Sequence, residues 1–222
     1  AAGFYMFGKR HPFELIPNGV DVERYEFNAH DRERIRKELE IAPSAHVFIH
    51  VGRFSEQKNQ RFLIEVFAKY HAEDADSVLL LVGNHNGMLN DMQRLASTLG
   101  VGDSVRFLGV RTDIPQLYSA ADLAVFPSKH EGLPVTLVEA QANGLPILAS
   151  EAITKETDIA NLIRFESLEH GADQWASQMR HEVQQPIGVD MRKGYANAVR
   201  RAGYDMTDGI RRMKATYGRL AK

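Results

Sequence analysis

Short, almost wholly apolar runs alternate with amphipathic helical stretches along this chain, and that alternation constrains the fold more than any other feature. The runs at 47–51, 78–82, 105–108, 123–126 and 147–149 have strand length and no polar-outward alternation, so both of their faces must be covered. Between them the pattern predicts helices over 31–40, 59–70, 89–99, 114–120 and 135–143; in the second, Phe62, Leu63, Val66, Phe67 and Tyr70 share one face. Strands in regular alternation with helices imply a parallel sheet with helices on both sides, a doubly wound α/β domain. A short apolar run at 13–16 ends in Pro17-Asn18-Gly19, residues suited to a turn. Beyond Glu151 the pattern predicts a last strand at 162–165 and helices over 173–183 and 191–201. Gly203 is placed to cap the last of these, and Asp205 or Thr207 to start a final helix. In that helix Met206, Ile210, Met213, Tyr217 and Leu220 fall on one apolar seam.

Composition narrows the function. With 44% hydrophobic and 25% charged residues the chain is globular rather than disordered. The absence of cysteine rules out disulfides, thiolate nucleophiles, zinc ribbons and iron–sulfur ligation, and suits a reducing compartment. No apolar run approaches the roughly 20 residues of a membrane span. A formal charge of −2 argues against bulk nucleic-acid binding, although the residues from Asp190 onward carry nine Lys or Arg against three acids. Residues 1–7 are apolar without the basic leader of a signal peptide, which reads as an excised domain carrying the end of an upstream helix.

In an open parallel sheet, ligands bind outside the carboxyl ends of the strands. The run 47–51 leads into Gly52-Arg53-Phe54-Ser55-Glu56-Gln57-Lys58, placing two cations five residues apart before the next helix. Arginine can grip two phosphate oxygens at once, lysine supplies a point charge, and Gly52 lets backbone approach a ligand. For an arbitrary pair of loop cations, solvated surface charge would be the simpler reading. The run 123–126 changes the weighting, because it leads through Pro127-Ser128-Lys129-His130 to Glu131-Gly132-Leu133-Pro134 and a helix. Pro134 suits the first turn, and the amides of Gly132 and Leu133 beside a helix N-terminus favour an anion. Glu139 follows Glu131 by eight residues on that helix, too far to share one atom but able to hold separate hydroxyl-bearing parts of an elongated ligand.

These residues resemble a known family. Ile16-Pro17-Asn18-Gly19-Val20-Asp21, Val51-Gly52-Arg53 with Lys58, Phe107-Leu108-Gly109, and Ala121-Asp122-Leu123 with Pro127-Ser128 occur in the order of the C-terminal domain of retaining GT-B glycosyltransferases, family four. So do Glu131-Gly132-Leu133-Pro134 with Glu139-Ala140, and Gly144-Leu145-Pro146. Arg201-Ala202-Gly203-Tyr204-Asp205 is similar to the tail of members that build capsules and exopolysaccharides. The resemblance implies a Rossmann-like fold, the C-terminal half of a GT-B enzyme, that transfers a sugar with retention and without metal or cofactor. Its substrates would be a nucleotide-diphosphate sugar and a saccharide or lipid-linked acceptor. It further implies that Arg53 and Lys58 hold the diphosphate, that Glu139 holds the ribose, and that Glu131 lies beside the donor sugar with the amides of Gly132 and Leu133. Val110 and Arg111 would meet the base through backbone, and Gly52 would pass close to the phosphates. Gly83-Asn84-His85-Asn86-Gly87 departs from the family's Gly-Asp-Gly-like turn, and bears on base and sugar choice.

The implied organisation is residues 1–12 as the end of an N-terminal domain or linker, 13–188 as the nucleotide-sugar-binding domain, and 189–222 as closing helices. The missing N-terminal domain would meet the C-terminal seam. The basic C-terminal helices read as a solvated face, with contact to anionic lipid as the sharper alternative, so the expected location is cytoplasmic, extending to the inner face of the membrane. Two rival functions share this architecture: a non-catalytic nucleotide-sugar binder and a sugar-nucleotide epimerase. Other features read as structural. Asp74-Ala75-Asp76 precedes a strand, as a solvated turn would, and Trp175 reads as core. His46 and His50 lie roughly 13 Å apart at strand rise, too far to share a metal, so His50 is expected to be packed or to support the site. His130 divides evenly between reaching the donor and facing solvent.

Overall fold

The computed structural model describes residues 17–220 and the backbone of 3–6 and 9–12; of the side chain of Leu220 nothing is described. Strands β1 (Gly3–Met6) and β2 (Lys9–Pro12) pair antiparallel, where the apolar run predicts the end of a helix. The expected strand at 13–16 lies outside the described residues. A single turn of helix, α1 (Val22–Tyr25), precedes α2 (Ala29–Glu38), which starts two residues earlier than the pattern predicts because Asn28 caps it, accepting from the amides of His30 and Asp31.

The alternation then runs as expected. Strands β3 (Val47–Val51), β4 (Val78–Val82), β5 (Val105–Gly109), β6 (Leu123–Phe126), β7 (Ile147–Ser150) and β8 (Ile163–Glu166) form one parallel sheet in the order β5-β4-β3-β6-β7-β8. Helices α3 (Gln60–His71), α4 (Leu89–Thr98), α5 (Ile114–Ala120) and α6 (Val135–Ala142) connect them. α7 (Gly171–Val183), α8 (Val189–Arg201) and α9 (Met206–Leu220) follow. The chain adds β4 and β5 on one side of β3 and then returns to place β6 on the other. The sheet therefore reverses its order between β3 and β6, and a crevice opens at their carboxyl ends.

Alternate residues of each strand enter separate cores. Val47, Ile49 and Val51 join Leu80, Ala124 and Ala149 under α1, α2, α5, α6 and α8. Phe48, Leu79, Leu81, Val125 and Leu148 pack beneath α3, α4 and α7, with Trp175 wholly buried. This two-sided burial is why the strands read as continuous apolar runs.

Polar groups organise the amino ends of the strands. Asp122 lies 2.6 Å from both Arg32 and Arg36 and accepts the amide of Val47, joining α2 to the entries of β3 and β6. Both arginines also donate to the last carbonyls around α5, the negative end of its dipole. Arg192 of α8 is buried, donates to Tyr118 O, Ala121 O and Asn143, and lies 4.3 Å from the centroid of Phe27. Burial pulls its guanidinium down to about 9. Gly144 admits this helix: its φ is +67°, and a Cβ there would lie 2.5 Å from Arg192 O. The 290 Å³ cavity beside Arg32, His46, Asp122 and Arg192 is at this end of the sheet, opposite the crevice.

At the C-terminus Asp205 supplies the cap, accepting from the amide of Thr207, and Gly203 adopts φ +85° as expected. The α9 seam faces outward, with Met206, Ile210, Met213 and Tyr217 43–67% exposed. Among the described residues no helix is long and apolar enough to cross a membrane. The Asp74 turn is less free than its sequence suggests: His46 Nδ1 lies 2.6 Å from its carboxylate, and the Tyr70 hydroxyl donates to it over 3.0 Å.

Candidate active site

The carboxyl ends of β3 and β6 are adjacent at the order reversal, so the loops after them, 52–59 and 127–134, face one crevice. They are stitched together directly. The amide of Lys129 donates to Gln57 O over 2.8 Å, Gln57 Nε2 to His130 O over 2.9 Å, and Asn59 Nδ2 to Pro127 O over 3.2 Å. Across the stitch Lys58 Nζ stands 2.6 Å from Glu131 Oε1, with side chains only 18% and 10% exposed. The approach is a charge contact off the hydrogen-bonding direction, for that oxygen, buried, has no aligned donor. Two residues separated by 73 positions thus form one ion pair at the mouth of the sheet.

Arg53 is exposed and makes no ion pair or hydrogen bond through its side chain among the described residues. Its loop is anchored from beneath. The Gly52 amide donates to Val82 O and that of Phe54 to Asn84 O, each over 2.9 Å. Gly83 makes this approach feasible: its φ is +144°, and a Cβ there would lie 2.2 Å from Gly52 O. The Lys58 stem lies over Gly52, 3.5 Å from where a Cβ would be built.

The helix after β6 begins at Val135 as expected, with Pro134 at the N-cap rather than in the first turn. The amides of Leu133, Val135 and Thr136 carry no hydrogen bond among the described residues, as the first amides of a helix must. A side chain at Gly132 would enter open space, so the backbone there is accessible. The hydroxyls of Ser128 and Thr136 are buried without a hydrogen-bond partner among the described residues. A buried polar atom without a partner costs about 1–3 kcal/mol, and these two lie within this one segment.

Glu139 is partly buried on α6. Burial raises its carboxyl above the usual range, opposed by a hydrogen bond from Tyr25 and the charge of Arg24. Burial and the neighbouring Glu139 push the Tyr25 hydroxyl up, so it remains a donor. Tyr25 comes from α1, a turn with no sequence signal, and no reading of the sequence picks it out. Val110, 74% exposed, follows β5. The Arg111 guanidinium is committed to Asp113 at 2.6 Å and Glu38 at 3.1 Å. His50 is buried as expected, and burial pulls its imidazole down to about 4. His130 is exposed. The structure therefore brings Lys58, Glu131 and the start of α6 together, holds Arg53 and Gly52 on the adjoining loop, and seats Glu139 farther along α6 against Tyr25.

Lys58, Glu131, Glu139 and their loops fall within the segment that comparisons with known proteins match. The family model described as Glycosyl transferases group 1 matches residues 31–161. EpsF of Bacillus subtilis (strain 168), itself only provisionally assigned as a glycosyltransferase, is 31% identical over 214 residues, 94% of this chain and 55% of that protein. The UDP-Gal:alpha-D-GlcNAc-diphosphoundecaprenol alpha-1,3-galactosyltransferase of Escherichia coli is 36% identical over 140 residues, 61% of this chain and 36% of that protein. Among solved structures, Anabaena Alr3699/HepE in complex with UDP and glucose superposes with a TM-score of 0.75 at 23% identity, covering 92% of this chain and 56% of that one. The C-terminal domain of LpcC, a glycosyl transferase group 1 family protein of Francisella tularensis, gives 0.65 at 17% identity, covering 85% of this chain and all 100% of that one. The chain spans about half the length of EpsF and of the HepE chain. The structural likenesses establish the Rossmann-like fold, and on the family match the chain belongs to the glycosyl transferases group 1 family.

Proposed function

We propose that this chain is the donor-binding half of a retaining glycosyltransferase that takes a nucleotide-diphosphate sugar and passes the sugar to a saccharide or lipid-linked acceptor. The observation that carries the reading is the Lys58–Glu131 contact at the order reversal of the sheet. It puts a cation for a diphosphate and a carboxylate for sugar hydroxyls within one ligand's reach. The unpaired Arg53 and the first amides of α6 complete a cationic cradle around the same point. Breaking the sugar–phosphate bond builds negative charge on the departing diphosphate, and these groups are fixed before that charge develops. In this reading the cradle needs no metal. Glu139 takes the ribose, and the backbone at 110–111 takes the base.

The domain scheme is part of the same proposal: 13–188 binds donor, 189–222 closes it, and residues 1–12 lead from an N-terminal half that meets the α9 seam. Retention of configuration and a role in capsule or exopolysaccharide synthesis rest on the motif resemblance. A lipid-linked acceptor would place the reaction at the inner face of the membrane. The experiment is calorimetric titration of the chain with UDP, GDP and ADP, each beside its nucleoside and a matching nucleotide sugar. The reading expects one diphosphate to bind more tightly than its nucleoside, and no acceptor-dependent turnover by this half alone, because it assigns the positioning of the acceptor to the N-terminal half. Indifference to the diphosphate would refute it, and so would robust transfer by the chain by itself.

A further inference from the structure

We propose that Gln60 is a positioning residue of the diphosphate grip, acting through His50 and the backbone of Arg53 and Ser55. The inference rests on the donor-site reading and adds to it a buried residue that touches no substrate.

His50 and Gln60 lie beneath the loop that carries Arg53 and Lys58. His50 is fully buried, and its Nδ1 lies 2.8 Å from Val125 O. A carbonyl can only accept, so Nδ1 carries the proton and Nε2 presents a lone pair. Gln60 Nε2 lies 3.3 Å from that lone pair. The same amide nitrogen donates to Arg53 O over 3.1 Å, and Gln60 Oε1 accepts from the Ser55 amide over 3.2 Å. One side chain, 1% exposed, therefore holds two points of the loop and is itself oriented by a histidine locked to β6. Its neighbour Asn59 adopts φ +59° and is tied to Pro127 O, so the loop turns sharply into α3 directly beside this anchor.

The arrangement has the form of a device for orientation. Burying an amide is costly when its bonds are not made, and an apolar side chain would fill the same space without that liability. What the amide adds is direction. With its carbonyl held inward by Gln60, Arg53 sends its side chain out to solvent, where it has no other partner. The start of the turn that ends in Lys58 is fixed by the Ser55 bond, and the Lys58 amide in turn donates to Ser55 O and Oγ. Gln60 thus spaces the two cations through Ser55 and Arg53.

The test uses Gln60→Leu and Gln60→Glu, measured by calorimetry against UDP, GDP and ADP and the matching nucleosides, together with Lys58→Ala, Arg53→Ala and the Arg53→Ala/Gln60→Leu double variant. Glu keeps the acceptor for Ser55 and loses both donated bonds. Gln60→Leu is expected to weaken the diphosphate that binds best by about tenfold and its nucleoside by less than about twofold, with Gln60→Glu also weakened. In the Arg53→Ala background the Gln60→Leu effect should shrink to about two- to threefold, because residues acting as one unit are not additive. Equal losses on nucleoside and diphosphate, or an undiminished effect without Arg53, would overturn the proposal in favour of a merely structural glutamine. Should Gln60→Leu not fold, Gln60→Glu decides alone, and wild-type affinity there overturns it. If the wild-type chain binds none of the three diphosphates, the donor-site reading fails with it. If Lys58→Ala weakens binding and both Gln60 variants leave it intact, only the positioning role fails.

Discussion

Replacing Lys58 by alanine removes one cation of the proposed diphosphate grip, and the structure sets the size of the effect. Lys58 Nζ stands 2.6 Å from Glu131 with its side chain 18% exposed, so the ammonium is already partly desolvated and paired before a ligand arrives. A charge-assisted contact to phosphate is worth about 1.5–3 kcal/mol, or roughly 10- to 150-fold in affinity. Because binding exchanges one anionic partner for another, the expected loss for the nucleoside diphosphate lies in the lower half of that range. The nucleoside should lose less than about threefold, since it offers no phosphate to the cation. Glu131→Gln is the informative companion. It frees Lys58 from its competitor at nearly constant volume, so affinity for the diphosphate without sugar should rise, by about tenfold at most. Calorimetry at two salt concentrations provides the assay, with a weaker salt dependence for Lys58→Ala than for wild type. Equal losses for nucleoside and diphosphate in Lys58→Ala, or a Glu131→Gln loss as large as that of Lys58→Ala, would refute the exchange.

Glu139→Ala should reduce affinity for the nucleoside diphosphate itself, whereas Glu131→Ala should chiefly remove the extra affinity of the sugar-bearing donor; titrating both ligands into both variants checks this, and the reverse pattern means the roles are swapped. His50 is neutral in both states above pH 6.5, and below it the unfolded chain takes a proton that the folded chain refuses until about 4, so stability is lost across that window, on the order of 3 kcal/mol in all. An NMR titration of its ring protons should show no midpoint above about 5, and one near the ordinary histidine value would contradict the burial argument. Arg192→Met leaves the acceptors at Tyr118, Ala121 and Asn143 without their donor and should cost about 2–4 kcal/mol in urea unfolding. A change below about 1 kcal/mol would show that the α8 anchor is packing alone.

What could be read from the residues followed from how locally each feature is encoded. The strands of the parallel sheet were legible because covering both faces leaves no polar alternation: Val47 to Val51 and Val78 to Val82 admit few other readings. The loops after β3 and β6 were legible as site candidates because charge, glycine and a helix start fall together in sequence. The antiparallel pair at 3–12 was not, since a four-residue apolar run is compatible with helix or strand until its partner is known. Tyr25 was missed because one turn of helix carries no periodicity, and Gln60 because a glutamine opening a helix looks like any solvated residue. Asp122, noted only as part of a motif, is a structural anchor whose partners lie 75 to 90 positions away. The Lys58–Glu131 contact has the same character. Each of its residues could be nominated separately, but their meeting depends on the sheet reversing its order between β3 and β6.

The strand that carries the cationic loop lies in the wholly buried middle of the sheet. All five residues of β3 are buried, with β4 and β6 on either side and helices above and below, while β5 at the edge is buried chiefly at Val105. Slow amide exchange should therefore centre on β3 and β6 and decay outward. The consequence is a division of labour in how such a protein can diversify. In the proposed reading, residues that would meet the diphosphate of the donor grow out of the wholly buried inner strands and would tolerate little drift. Those that would meet the nucleobase grow out of the edge, where insertions and exchanges do least harm to stability. New donor preferences should accordingly arise by altering the turns after β4 and β5, with the inner strands left as they are.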